Sequence, residues 1–172
     1  MIERPKPSEH DEYFGKYIGL VPDGDILEVL ESELRATLGL LARVPKNKET
    51  YRYAEGKWSI REVIGHIIDA ERMFQYRALA FARRDPAHLP SFEENDYARE
   101  SNAHSRPLAE LADEFESVRR ATLTLFRSFD DEISKRSGKA SVYEFSVRTF
   151  PFILAGHEIH HRDVIEERYL KV

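Results

Sequence analysis

The residues best suited to chemistry in this chain are its histidines: His10, His66, His88, His104, His157, His160 and His161. There is no cysteine. Disulfides and thiolate ligands are therefore excluded, and any metal site must be built from imidazole and carboxylate. His10, His88 and His104 lie in polar, loop-like sequence and read as solvated. The last three lie in an apolar, periodic segment. On a helix advancing about 100° per residue from Phe150, Leu154 falls at about +40°, Ile153 at −60°, Val164 at −40° and Ile165 at +60°. His157 at about −20° and His161 at about +20° then sit in the middle of this apolar face, with His160 at its edge near −80°. Two imidazoles four residues apart point into the core, one turn above the other, and both can reach one ion. His66 borders the buried face of a second such segment, close to Val63, Ala70 and Met73.

A lone histidine on an apolar face is most often a core residue held by hydrogen bonds, and for His66 alone that is the better reading. A facing pair is different, because each buried imidazole needs its own partner. Bundle cores build metal sites from side chains on facing helices. His66, His157 and His161 are therefore the expected ligands of one divalent ion. Three neutral imidazoles suit zinc, nickel, iron or copper better than magnesium or calcium. Zinc and nickel come first, with iron and manganese next. Three protein ligands leave coordination positions open, as catalytic sites do. A water or thiol bound there loses its proton more easily.

Carboxylates surround these histidines. Glu62 and Asp69 flank His66 by about one turn and are candidates to orient its ring, with helix-surface charge as the plainer reading. Glu158, at about +80° on the same wheel, is a candidate base or a partner of Arg162 four residues on. His160, Glu158 and Asp69 are the candidates for moving a proton. His157-Glu158-Ile159-His160-His161 matches the H-E-x-x-H pattern of zinc proteases. No further histidine follows His161, so a third ligand would have to come from upstream, which is a different architecture.

Four amphipathic segments must position these groups. The first opens at Asp23-Gly24-Asp25, runs through Leu27, Leu30, Leu34, Leu38 and Leu41, and ends before Pro45. The second opens with the capping box Ser59-Ile60-Arg61-Glu62 and runs to about Arg83. Tyr51, Tyr53 and Trp58 precede it, either as packing anchors or as the lining of a ligand entrance. A polar stretch over 85–106 follows; connections of that length are uncommon and often functional. The third has Pro107 in its first turn and carries Leu108, Leu111, Phe115, Val118, Leu125 and Phe129. Ser137-Gly138-Lys139 reads as a loop. The fourth spans about Ser146 to Tyr169, with a kink or a late start expected at Pro151. No strand-like alternation is sustained. The expected fold is all-α: an antiparallel four-helix bundle, one domain over 1–172, with a long connection between its second and third helices.

The bulk properties agree. With 172 residues, 41% apolar and 33% charged, the chain can bury a core without covalent staples. A net charge of −5 without a dense basic tract argues against nucleic acid as a partner. No apolar run approaches the roughly 20 residues of a membrane span. The first ten residues lack the apolar core of a secretory signal, so a cytoplasmic protein is expected.

The stretch Gly56-Lys57-Trp58-Ser59-Ile60-Arg61-Glu62-Val63-Ile64-Gly65-His66 resembles the second-helix signature of the DinB-like superfamily. Gly156-His157-Glu158-Ile159-His160-His161 resembles its fourth-helix signature, and Leu89-Pro90-Ser91-Phe92-Glu93-Glu94-Asn95-Asp96-Tyr97 is similar to the segment between them. Together the three cover nearly the whole chain in the right order. The resemblance implies a four-helix bundle with a three-histidine metal site, again at His66, His157 and His161, and often a homodimer. Some relatives join a low-molecular-weight thiol, such as bacillithiol or mycothiol, to an electrophile, and others are mycothiol-dependent isomerases. The resemblance thus implies a metal-dependent thiol S-transferase, with a small thiol and an electrophile as partners. A non-catalytic metal-binding stress protein and a metal-dependent hydrolase are the alternatives.

Overall fold

A computed structural model describes residues 2–171. A short helix, α1 (Glu12–Ile18), precedes the first long one, α2 (Ile26–Leu41). There follow α3 (Ile60–Ala82), short α4 (Glu94–Glu100), α5 (Leu108–Arg127) and the single turn α6 (Asp131–Ser134). A hairpin of β1 (Ser137–Ala140) and β2 (Tyr143–Ser146) leads into α7 (Thr149–Val164), which continues as a π-helical turn over Ile165–Leu170. The four long helices form the bundle. Among the described residues no helix is long and apolar enough to cross a membrane.

Local chemistry sets the helix ends. Asp25 caps α2 by accepting a hydrogen bond from the Leu27 N–H at 2.9 Å, one of the donors that a helix start leaves free. The capping box of α3 is formed: the Ser59 N–H donates to Glu62 Oε2 at 2.7 Å. Pro107 is the N-cap of α5, one residue outside the expected first turn. Pro151 is the third residue of α7, in the first turn, where its missing N–H has no intrahelical bond to lose. The expected late start is therefore what occurs, at Thr149 rather than Ser146.

The arrangement of the long helices departs from a simple up-and-down order. α2 packs against α5 and α7, and α3 also packs against α5 and α7. Consecutive helices α2 and α3 thus sit on a diagonal, and residues 42–59 cross between them.

Three expectations need correction. Ser137-Gly138-Lys139 is not a loop but the start of β1, which pairs antiparallel with β2 from Ser137↔Ser146 to Ala140↔Tyr143. Strands this short carry too little alternation to stand out. The stretch 85–106 is not irregular throughout, because α4 and a 3₁₀ turn at Ala103–Ser105 lie against α3. On α5, Leu123 and Phe126 are buried while Leu125 is only partly so. Arg119 lies among the buried residues of that face.

The core is divided in two. One apolar cluster holds Leu30, Phe74, Phe126 and Phe150, and the other holds Leu34, Ile64, Phe115 and Ile165. On α3, α5 and α7 the boundary falls at buried polar residues: His66 and Glu71, Arg119 and Thr122, His157 and Glu158. A polar layer crosses the middle of the bundle.

Candidate metal centre

Half of that layer is the histidine cluster. His66 comes from the first third of α3; His157 and His161 come from successive turns of α7. Their Nε2 atoms converge: His66 to His157 is 3.0 Å and His161 to His157 is 3.1 Å. One ring nitrogen from each of the three lies within 4.8 Å of the other two. Two nitrogens on one tetrahedral zinc, each about 2.0–2.1 Å from it, lie roughly 3.3 Å apart. The cluster therefore has the size of a shared coordination sphere. A hydrogen-bonding account fits less well, since one Nε2 proton cannot serve three converging nitrogens.

The imidazoles are held neutral, as metal ligands must be. His66 is 4% exposed and His157 7% exposed; His161 is partly exposed. Burial lowers the His66 pKa to about 4. Burial, with the neighbouring His66, lowers that of His161 to about 3, and His157 is pushed well down by burial and then by His161 and His66.

Each signature glycine admits a covering segment beside its histidine. A Cβ at Gly156 would lie 1.9 Å from the Tyr17 carbonyl oxygen, so the glycine lets the end of α1 press onto α7. Tyr17 then packs edge-on against His157, with ring centroids 5.3 Å apart. A Cβ at Gly65 would meet Ala103 Cβ at 2.7 Å, and its absence seats the 3₁₀ turn on α3. Trp58 lies over His66 with centroids 4.7 Å apart, and Tyr169 Oη fixes that corner by donating to the Trp58 carbonyl at 2.7 Å. Tyr51 and Tyr53 pack on Tyr169. Tyr53 and Trp58 also line a cavity, whose wall does not include Tyr51.

Two cavities reach the cluster. One, of about 170 Å³, is lined by His66 and His157 with Tyr17, Phe74, Arg77 and Phe145. The other, of about 260 Å³, is lined by His160 and His161 with Tyr53, Trp58 and Tyr169. Glu94 of α4 lines both, and it is the acidic side chain found in each lining.

The remaining candidates lie elsewhere. Glu62 is occupied by Ser59 and by Arg52, whose Nη2 lies 2.9 Å away. Asp69 faces Arg72 at 3.9 Å. Neither is bonded to His66. Glu158 does not pair with Arg162, which bonds Glu33 instead. It is fully buried on the other side of α7, accepting from Thr37 Oγ1 at 2.6 Å and lying 2.8 Å from Arg119 Nη1. The glutamate of the H-E-x-x-H string is thus turned away from the histidines. His160 is exposed. His88 and His104 are also exposed and His10 partly so, none of them in the cluster. Tyr17, Arg77 and Glu94 escaped sequence reasoning; only Glu94 carried a signal, its place in the segment 89–97.

Residues 30–165 match the model of the DinB superfamily. No curated protein matches the chain by sequence. Among solved structures the chain is similar to YfiT from Bacillus subtilis, described as a probable metal-dependent hydrolase with an unusual four-helix bundle topology. That match has 16% identity and a TM-score of 0.69, and covers 96% of this chain and 90% of that one. The chain is also similar to a mycothiol-dependent maleylpyruvate isomerase, at 11% identity and a TM-score of 0.68. There it covers 85% of this chain and 62% of the isomerase.

Proposed function

The chain belongs to the DinB superfamily, and from that premise we propose that it is a metal-dependent transferase joining a small thiol to an electrophile. The observation that carries the proposal is the convergence of three imidazole nitrogens, from buried His66 and His157 and partly exposed His161, on one point that two cavities reach. His66, His157 and His161 hold a divalent ion, zinc or nickel by the chemistry of the donors. Such an ion favours the anionic form of a bound thiol.

The protein's own groups do the rest. His161 lines the 260 Å³ cavity, and its neighbour His160 is exposed there to receive the thiol proton. The aromatic wall of the other cavity, with Phe74 and Phe145, holds the electrophile and keeps water from it. Attack forms a carbon–sulfur bond, breaks the bond to the leaving group, and releases the proton through His160 or Glu94 to solvent. The placement of Glu158 argues against a protease-like use of the H-E-x-x-H string. Water attack needs a general base at the site, and the carboxylate that the H-E-x-x-H string would supply is tied to Arg119.

A metal-dependent hydrolase is the second reading, favoured by the near-complete overlap with YfiT, described as a probable one. One assay separates the two. Protein loaded with zinc or nickel is offered bacillithiol, mycothiol, glutathione, coenzyme A or cysteine with an activated chloroarene, and separately a small ester without thiol. Conjugation with one thiol, absent in His161→Ala, is expected. Turnover retained by His161→Ala sinks the mechanism, and ester cleavage without thiol moves the assignment to hydrolase.

A further inference from the structure

The three histidines account for one end of the 170 Å³ cavity and leave a buried cation at the other. Arg77 is only 6% exposed. Its Nη2 donates to the Pro90 carbonyl at 2.8 Å. Its Nε is buried without a partner. Among the described residues no carboxylate forms an ion pair with it. The guanidinium carbon lies 5.5 Å from the Phe74 ring and 5.9 Å from the Phe92 ring. Burial pulls its pKa below the usual arginine value, with no acid opposing the shift. The group stays charged even so.

Uncompensated buried charge is expensive, and this chain shows how it deals with such charge elsewhere. Arg119, which is fully buried, is gripped by Glu71 and Glu158. Arg77 has no such partner from the protein, yet it lines the cavity. Eleven residues separate it from His66 on α3. That is about three turns, so both side chains lie on one face with Cα atoms roughly 16 Å apart. Ala70 and Phe74 lie between them on the same helix, and Phe14, Phe145 and Ile153 close the wall. The one other charged lining residue, Glu94, is exposed and makes no ion pair with Arg77.

We propose that Arg77 is the anion receptor of this cavity, binding a carboxylate at the far end of an elongated, apolar substrate whose reacting end lies at the three histidines. The position of the reacting end rests on the metal-site reading; the carboxylate end rests on Arg77. A guanidinium offers a carboxylate two parallel N–H donors, which a neutral amide cannot match. Phe74 and Phe92 leave the bonded pair shielded from water.

The test is calorimetric titration of the full chain with 3-phenylpropanoate and with its neutral amide. Both metal-loaded and chelator-treated protein are used. The acid is expected to bind at least tenfold more tightly than the amide in both states. Arg77→Met is expected to abolish that preference, leave amide affinity within about twofold, and shift the melting temperature by only a few degrees, because removing an unpaired buried charge offsets the lost hydrogen bond to Pro90. Arg77→Lys keeps the charge without the fork and should retain part of the preference. Equal binding of acid and amide by the unaltered protein overturns the proposal without any variant, as does undetectable acid binding. A preference that survives Arg77→Met but vanishes on chelation also overturns it, placing the carboxylate at the histidines. Failure to bind zinc would sink the metal reading and leave the acid–amide comparison in chelated protein untouched.

Discussion

The polar layer contains two clusters that share helices yet solve burial in opposite ways. Arg119 is gripped by Glu71 through two hydrogen bonds of 2.8 and 2.9 Å. It lies 2.8 Å from Glu158 and donates to the Leu30 carbonyl at 2.9 Å. Burial opposes its charge, but Glu158 and Glu71 outweigh that and hold the Arg119 pKa above its ordinary value. This cluster is closed by charge: one guanidinium faces two carboxylates, with Glu158 Oε2 held by the ion pair to Arg119 rather than by an aligned hydrogen bond. On the other face of α7 the histidine cluster holds three acceptor nitrogens and no anion, and two cavities reach it. His157 and Glu158 are adjacent in sequence, yet one faces the open cluster and the other the closed one. The closed cluster ties α3, α5 and α7 together, and that rigidity places the open cluster's nitrogens within a coordination sphere of each other.

Removing Arg119 should have the largest effect. Arg119→Met leaves Glu71 and Glu158 buried without a counter-charge, a loss of about 3–5 kcal/mol. At roughly 2–4 °C per kcal/mol for a domain of this size, calorimetry should show a melting temperature lower by about 6–20 °C. Replacing the whole cluster in Arg119→Met/Glu71→Gln/Glu158→Gln should recover much of that loss. If Arg119→Met melts normally, the cluster is not the closed brace described here.

His157→Ala inverts the pattern. It removes the nitrogen that both other histidines approach, so zinc affinity by competition titration should fall by more than the roughly 10–100-fold seen when an orienting partner is lost. The metal-free melting temperature should move by only a few degrees, because no charge is stranded. Unchanged zinc affinity would break the comparison at its open half.

Gly156→Ala probes the seam between packing and site. Its Cβ would meet backbone, the Tyr17 carbonyl, at 1.9 Å, which no rotamer change relieves. Overpacking of this kind costs about 1–3 kcal/mol. Since α1 must move away from His157, zinc affinity should fall along with stability. Gly65→Ala meets only the Ala103 methyl at 2.7 Å and should cost less in both readouts.

The open cluster was more legible in the sequence than the closed one, for a physical reason. His157 and His161 announce themselves because imidazoles on an apolar stripe violate the hydrophobic pattern. The Ser59–Glu62 capping box was equally plain, and the cap of α2 was narrowed to Asp23 or Asp25, because a helix start leaves local N–H groups that only nearby side chains can answer. Glu158 and Arg119 were not, because their pairing spans two helices and a helical wheel offered Glu158 the nearer Arg162. The diagonal placement of α2 and α3, the hairpin at 137–146 and the docking of α1 depend on long-range packing that periodicity does not encode. Gly65 and Gly156 were visible as motif letters, but their role needed the neighbouring backbone.

The smallest expected effect extends the closed style of pairing to the edge of the fold. Glu9 accepts from Arg148 Nε at 2.7 Å and from Ser146 Oγ at 2.7 Å, tying the N-terminal segment to the start of α7. The Arg148 hydrogen bond, against opposing burial, holds the Glu9 pKa at about 2 rather than 4.5. In the unfolded chain Glu9 takes up a proton near its ordinary value, while in the folded chain it resists. Its contribution is therefore fully present above about pH 4.5 and lost as the pH falls towards 2. Other carboxylates titrate in the same window, so the informative quantity is the difference between the parent protein and Glu9→Gln. That difference should shrink as the pH drops from 4.5 to 2, while zinc affinity at neutral pH is the same in both proteins. A difference independent of pH would mean that Glu9 acts through shape rather than charge. A change in zinc affinity would mean that the N-terminal tie reaches the open cluster through α1.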